Sequence, residues 1–253
     1  MAITIKTKAE IDLMRESGHR LSKVFDIMKE ALRPGMTTKD IDRIGEKAIR
    51  SLGGIPNFLN YNGFPASICV SVNDEVVHGI PDDERVIREG DIVSLDAGMI
   101  YKGWHSDAAR TFAVGKISPE AEQLIRVTRE CFFEGIKMAR AGNYLHDISN
   151  AIADHADKYG YGIVEDLVGH GIGTHLHEDP EVPNFHVKSK GPKLHAGMTL
   201  AIEPMINAGC AEVDWLANDW TVVTMDGALS AHYENTIVIR DGDPEILTLV
   251  GDY

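Results

Sequence analysis

Glycines and acids recur in this chain at a fixed offset. Gly35 is followed by Asp40-Ile41 and Gly53, and Gly142 by Asp147-Ile148 and Gly160, each 107 residues later. REGDIVSLD (88–96) matches HAGMTLAIE (195–203) at the same 107, so Gly90 maps to Gly197 and Asp96 to Glu203. HSD (105–107) then matches HYE (232–234) at 127, so the second copy has 127 − 107 = 20 more residues between its two acids. One such match carries little weight, because α/β proteins share local grammar. Several at one offset, ending on a carboxylate after a β-like run, point to a duplicated unit. The expectation is one domain over 1–253 built from two halves, about 8–115 and 119–250, related by a pseudo-twofold.

Each half reads the same way. Ile11, Met14, Leu21, Phe25, Met28 and Leu32 fall near helical spacing, predicting a helix over 8–33 that stops at Pro34-Gly35. A second helix over 38–52 ends at Gly53-Gly54, and strands follow at about 67–72, 76–79, 91–99 and 104–114. The second half predicts helices 119–140 and 145–159, then strands near 163–168, 198–206, 220–225 and 232–240. Paired helices followed by antiparallel strands make the fold class α+β rather than doubly wound. With no Pro/Ser-rich linker, the halves are expected to share one sheet.

The composition narrows the function classes. The 253 residues suffice for a sizeable core. A net charge of −14 without a basic run argues against a nucleic-acid groove and favours cationic partners such as metal ions or amino groups. Three cysteines without a CxxC suggest neither a disulfide framework nor a zinc knuckle, and fit a reduced, cytoplasmic setting. The N-terminal stretch has no apolar signal region, and no run of 18 apolar residues follows, so no signal peptide or membrane span is expected.

The chemistry concentrates in the acids that end the strands. A hairpin turning near Tyr101–Gly103 would set residues whose numbers sum to about 203 opposite one another, which pairs Asp96 with Asp107 at a Cβ separation of roughly 5 Å. Two carboxylates so placed repel unless a cation lies between them. By the repeat, Glu203 and Glu234 form the equivalent pair, and the pseudo-twofold brings the pairs together. His170, among the glycines of GHGIGTHLHEDP, is the best-placed imidazole. Four acids and one histidine around two metals roughly 3.5 to 4 Å apart is a hydrolytic arrangement, and oxygen-rich sites joined by a histidine suit Mn, Fe(II), Co or Zn. Taken singly, each of these residues has a plain alternative as a turn, cap or loop residue; the set carries the case.

Together LDAGMIYKGWHSDAARTF, VGHGIGTHLHEDP, MTLAIEPMIN and WTVVTMDGALSAHYENTIVI resemble type I methionine aminopeptidases of the bacterial kind, from about Lys6 to the last strand. The resemblance implies the pita-bread fold and a single catalytic domain, acting in the cytoplasm. It implies removal of the initiator methionine from nascent polypeptides, at the ribosome, when the second residue is small. It implies Asp96, Asp107, His170, Glu203 and Glu234 as ligands of two divalent ions, drawn from Co, Mn, Fe(II), Zn or Ni. Glu203 would double as general base, His177 would donate to the oxyanion, and His78 would contact the scissile peptide. Tyr61, Phe64, Cys69, Leu176 and Trp220 would wall the methionine pocket, where a thioether packs well on rings. From the residues alone, His78 and His177 could equally be structural, and Tyr61 and Phe64 plain core. Cys69 reads as a wall, since no base is spaced to activate it.

Some positions depart from the family's usual pattern: Phe58 for a common cysteine, His175 for a small residue, Leu176 for an aromatic, and His232 and Asn235 in AHYENT for AQYEHT. They bear on metal preference and pocket width. With no zinc or proline-rich segment ahead of Lys6, the short form is expected, and a self-contained fold of this size suggests a monomer. The alternatives are a proline-specific aminopeptidase or dipeptidase of the same fold, a non-catalytic pita-bread binding protein, and a metal-free amidinohydrolase. The first usually carries a large added N-terminal domain; the other two would not keep five intact ligands.

Overall fold

The computed structural model describes residues 2–249; Met1 and residues 250–253, at the ends of the expected domain, lie outside the described residues. Helix α1 (Lys8–Ala31) starts at Thr7, whose side chain and that of Glu10 cap each other's backbone N–H groups. Helix α2 (Thr38–Ser51) starts the same way on Thr37 and Asp40. Ser118 caps α3 (Pro119–Ile136), which has proline at its first position; Asp147 accepts the Tyr144 N–H at the start of α4 (Leu145–Asp157). Helix α3 ends four residues before the expected 140, because Met138 and Ala139 bond to Gly135 and Ile136 in i−3 turns that tighten the chain out of the helix.

Between α2 and α3 run β1 (Ile55–Pro56), a 3₁₀ turn (Tyr61–Gly63), β2 (Ile68–Val72), β3 (Glu75–Val77), β4 (Ile92–Tyr101) and β5 (Trp104–Ala113). After α4 come β6 (Gly162–Ile163), β7 (Gly169–Gly171), β8 (Glu178–Val182), β9 (Thr199–Ile202), β10 (Met205–Asn207), β11 (Val213–Trp215), β12 (Val222–Thr224), β13 (Ser230–His232), β14 (Glu234–Val238) and β15 (Glu245–Ile246). The expected strand 163–168 shrinks to β6. Those at 198–206 and 232–240 each split: Pro204 offers no N–H to a ladder, and Tyr233 turns its N–H to Pro204 O.

The main sheet runs β1-β4-β5-β14-β9-β7-β8, with β2 also on β4 and β15 on β14; β13-β10-β6 and β11-β12-β3 form two smaller antiparallel sheets. The central pair β5 and β14 joins the two halves of the repeat, with Ala108 opposite Asn235. The offset of 127 maps Ala108 onto Asn235, so a local twofold passes through this pair. The repeated glycines share one backbone conformation: φ is 90° at Gly35 and 98° at Gly142, and 95° at Gly90 and 92° at Gly197. Two apolar cores follow the halves. One joins α1 and α2 to β2, β4 and β5 through Phe25, Ile41, Leu95 and Ala97; the other joins α3 and α4 to β9 and β14 through Phe132, Ile148, Leu200 and Ile237.

The β4–β5 register corrects the expected one. Tyr101 pairs with Trp104, and Gly98 with Asp107, so opposed residues sum to 205. Lys102 and Gly103 alone make the turn, both at positive φ (50° and 81°), as a two-residue hairpin loop requires. Asp96 therefore faces Ala109 and is a diagonal neighbour of Asp107. A shift of two keeps both on one face; a shift of one would have parted them.

Candidate metal centre and substrate cleft

Strand alternation sorts the side chains. Leu95, Ala97, Ala108, Leu200, Ile202 and Ile237 enter the helix-backed cores. Asp96, Asp107, Ala109, Ala201 and Glu234 occupy the alternate positions and so the other face. Two adjacent rows cross this face. One holds Asp96, Ala109 and Glu234, and the β9–β14 register continued by one step adds Glu203. The other holds Asp107 on β5 and, beyond β14, Ala201 and His170. All five candidate ligands thus converge from four strands and the end of β9.

Asp107, Glu234 and His170 are 4%, 2% and 7% exposed, and one potential ligand atom from each lies within 4.8 Å of the others. His170 Nε2 stands 3.7 Å from Glu203 Oε1 and 4.0 Å from Asp107 Oδ2. Its Nδ1 is 2.8 Å from Gly171 O. A carbonyl only accepts, so Nδ1 carries the proton and Nε2 turns its lone pair to the acids. Burial pushes the His170 imidazole down to about 3, which keeps it neutral.

The carboxylates are pushed the other way. Burial raises Asp96 to about 8. Burial, then their charged neighbours, raises Asp107, Glu203 and Glu234 well above the usual range. Asp96 Oδ1 and Glu234 Oε1 are buried without a hydrogen-bond partner. Four carboxylates crowded beside a neutral imidazole, with acceptor atoms unspent, fit divalent cations: a cation both satisfies the orphaned oxygens and reverses their repulsion.

A cavity of about 300 Å³ opens onto these residues. Tyr61, Phe64, Cys69, Leu176 and Trp220, the expected pocket residues, all line it, within an apolar cluster that draws on α1, β2 and β14. Phe64 meets Trp220 edge-on at 5.2 Å. Cys69 pairs with Asp96 across β2 and β4; burial, then Asp96 and Asp107, pushes its thiol well up, which suits a wall and not a nucleophile. The cavity also includes Phe58, and residues not expected from sequence: Asn62, Val77, Leu167, Val168 and Met205, each within three residues of a candidate site residue.

Two imidazoles stand at the cavity. His177 lies at the exposed mouth, its Nδ1 2.7 Å from Tyr61 Oη and its ring edge-on to His170 at 4.2 Å. His78 sits at the end of β3 with φ 57°, a strained conformation for a non-glycine residue and one that clusters at functional sites. Burial, then His177, pushes it down to about 4. Of the atypical residues, Phe58 is in the wall and His175 is exposed outside the lining. His232 is buried with Nε2 3.9 Å from Glu203 Oε2. Asn235 Oδ1 accepts from Arg110 at 2.6 Å, behind the sheet's centre.

The sequence matches the profile of metallopeptidase family M24 over residues 12–241. The chain belongs to metallopeptidase family M24. Within the M24 peptidases it is 54% identical over 247 residues to a methionine aminopeptidase of Clostridium acetobutylicum, a match covering 98% of this chain and 99% of that protein. It is 46% identical to methionine aminopeptidase 1 of Bacillus subtilis, covering 98% and 100%. The crystal structure of methionine aminopeptidase from Thermotoga maritima superposes with a TM-score of 0.96 at 41% identity, covering 98% of this chain and all of that one. These matches place the chain among the methionine aminopeptidases of family M24, with the pita-bread fold. The X-Pro aminopeptidase from Thermotoga maritima shares the fold at a TM-score of 0.77 and 21% identity, and this chain covers 62% of its length. Among the described residues no helix is long and apolar enough to cross a membrane.

Proposed function

We propose that this chain removes the initiator methionine from nascent polypeptides whose second residue is small, as one catalytic domain over 1–253 with halves of about 8–115 and 119–250. The observation that carries the reading is an aromatic-walled cavity of about 300 Å³ whose lining also takes in the five candidate ligand side chains. Asp96, Asp107, His170, Glu203 and Glu234 would hold two divalent ions, chosen among Co, Mn, Fe(II), Zn and Ni. Bound there, such ions supply a water acidic enough to attack at neutral pH and polarise the scissile carbonyl.

The chain's own residues do the rest. Tyr61, Phe64, Cys69, Leu176 and Trp220 take the methionine side chain, whose thioether gains contact with Phe64 and Trp220. An apolar cluster that includes Phe64, Cys69 and Leu176 lies behind them, which suits a neutral side chain, with the peptide's N-terminus toward the acids. Glu203, partly buried in the cavity lining, takes the proton from the attacking water. His177 donates to the oxyanion as the carbonyl becomes tetrahedral; its Nδ1 is taken up by Tyr61, which leaves Nε2 for that bond. His78, neutral and held by its strained backbone, contacts the scissile amide. The setting is the cytoplasm, at the ribosome, and the working form a monomer.

The test is methionine release from Met-Ala-Ser, Met-Lys-Ser and Ala-Pro-Ser by chelator-stripped protein given Mn or Co. The reading expects metal-restored release from Met-Ala-Ser alone. Cleavage of Ala-Pro-Ser instead would move the chain to the proline-specific branch, and no cleavage of any peptide would revive the binding-protein alternative.

A further inference from the structure

The segment ahead of α1 lies against the loop that carries Leu176 and His177. Lys6 is 8% exposed. Its backbone N–H donates to Gly197 O at 2.8 Å, and the next residue, Thr7, is the α1 cap, so Lys6 is tied on both sides. Its ammonium meets Glu178 Oε2 at 2.5 Å, with the two side chains 5% and 7% exposed. Thr4 Oγ1 donates to the same oxygen at 2.8 Å. The other oxygen, Oε1, accepts the backbone N–H groups of Thr174 at 2.9 Å and His175 at 3.3 Å. Glu178 therefore closes the turn that precedes it, and Lys6 supplies the charge that lets Glu178 do so inside the protein. Burial by itself would raise the Glu178 carboxyl; the bonds from Lys6 and Thr4 outweigh it and hold the group below its ordinary value.

Two glycines leave room for this pair. A Cβ on Gly173 would come within 2.5 Å of Glu178 Oε1 and 2.6 Å of Lys6 Cε, and one on Gly197 within 2.9 Å of Lys6 O. Gly173 also accepts the His105 N–H at 2.8 Å, which fastens the start of the turn to β5. The turn is thus fixed at its start by β5 and along its length by Glu178. A buried ion pair gives back much of its Coulomb gain as desolvation, so stability is a weak reason for one, whereas a fixed geometry is a use it suits.

We propose that Lys6 and Glu178 are positioning residues for the hydrolysis: the pair holds the 174–178 turn so that His177 stands at a set distance from the scissile carbonyl. The proposal rests on His177 as donor to the oxyanion. Leu176, buried in the cavity cluster, is held by packing as well, so losing the pair releases His177 more than the methionine wall.

The experiment uses metal-loaded full-length protein and Met-Ala-Ser. Lys6→Met and Glu178→Gln are expected to lower kcat about tenfold with KM within about twofold, since a misplacement on the order of 1 Å at a reacting centre costs that much or more. Lys6→Arg restores kcat. In zinc-loaded protein, the His177 imidazole ¹⁵N signals shift in Lys6→Met, reporting a loosened bond to Tyr61. Lys39→Met, which removes an ion pair with Asp42 on α2, leaves both kcat and those signals in place. Thermal melts confirm that each variant is folded at the assay temperature. Unchanged kcat and unchanged His177 signals in both variants, with His177→Ala still impaired, would overturn the proposal while leaving the role of His177 standing. An unimpaired His177→Ala would overturn that role and the proposal with it.

Discussion

Stripping the metals should make this protein less stable as the pH rises from 7 to 8, the opposite of what buried histidines impose. Asp96 is pushed from an ordinary value of 3.8 to about 8 in the metal-free fold. A carboxyl raised in this way contributes stability that is fully present below its unfolded value and lost as the pH climbs through the folded one. Between pH 7 and 8 the folded group passes from mostly protonated to half ionised, while the unfolded one is already ionised. The loss is about 1 kcal/mol from Asp96. Asp107, Glu203 and Glu234 are raised as well and act in the same direction. The depressed histidines, His170 and His232 at about 3 and His78 and His105 at about 4, work the other way. Their contribution is nearly complete above the unfolded value near 6.5 and is lost as the pH falls below it, so in this window each offsets only about 0.1 kcal/mol. For a chain of this length 1 kcal/mol shifts Tm by about 2 to 4 °C, and the other carboxyls add to that. Melts of chelator-treated protein at pH 7.0, 7.5 and 8.0 should show a fall of at least this size, absent with saturating Mn, where the carboxylates are charged throughout. A metal-free Tm that is flat or rising across the window would refute the crowded, unpaired carboxylate cluster.

Three further predictions follow from the site. Glu203→Gln and His170→Ala should each lower kcat at least a hundredfold with an unchanged far-ultraviolet dichroism spectrum; normal turnover in either variant removes that residue from the centre. His177→Ala should lower kcat far more than it raises KM, because its bond to the oxyanion strengthens only in the transition state; an unchanged kcat removes it from the mechanism. Phe64→Ala removes a buried ring packed on Trp220 and should raise KM for Met-Ala-Ser about tenfold or more, with the loss concentrated in substrate binding; an unchanged KM places the methionine elsewhere.

Much of this architecture is legible in the residues, for reasons that can be named. Helices α1 and α2 are legible through apolar spacing in the first and the stops at Pro34-Gly35 and Gly53-Gly54, because amphipathicity and helix breaking are local. The duplication is legible because Gly35, Gly90, Gly142 and Gly197 mark turns at positive φ that side chains resist. The β4–β5 register was off by two because the turn proved to be Lys102-Gly103 alone, a choice between loop lengths that apolar alternation does not decide. The site survived that error because a two-residue slip preserves the face. Strand β7 has no readable period: one histidine between two glycines becomes a strand only by pairing with β8 and β9. The cavity residues Leu167, Val168 and Met205 look like ordinary core, and only the candidate ligands beside them mark them out. The pair of Lys6 and Glu178 spans 172 positions and has no local signature at all.

The most direct test of the account is anomalous diffraction from crystals of Mn-loaded protein. The account predicts two peaks roughly 3.5 to 4 Å apart, enclosed by Asp96, Asp107, His170, Glu203 and Glu234. A single peak away from these side chains, or none at saturating metal, would contradict it.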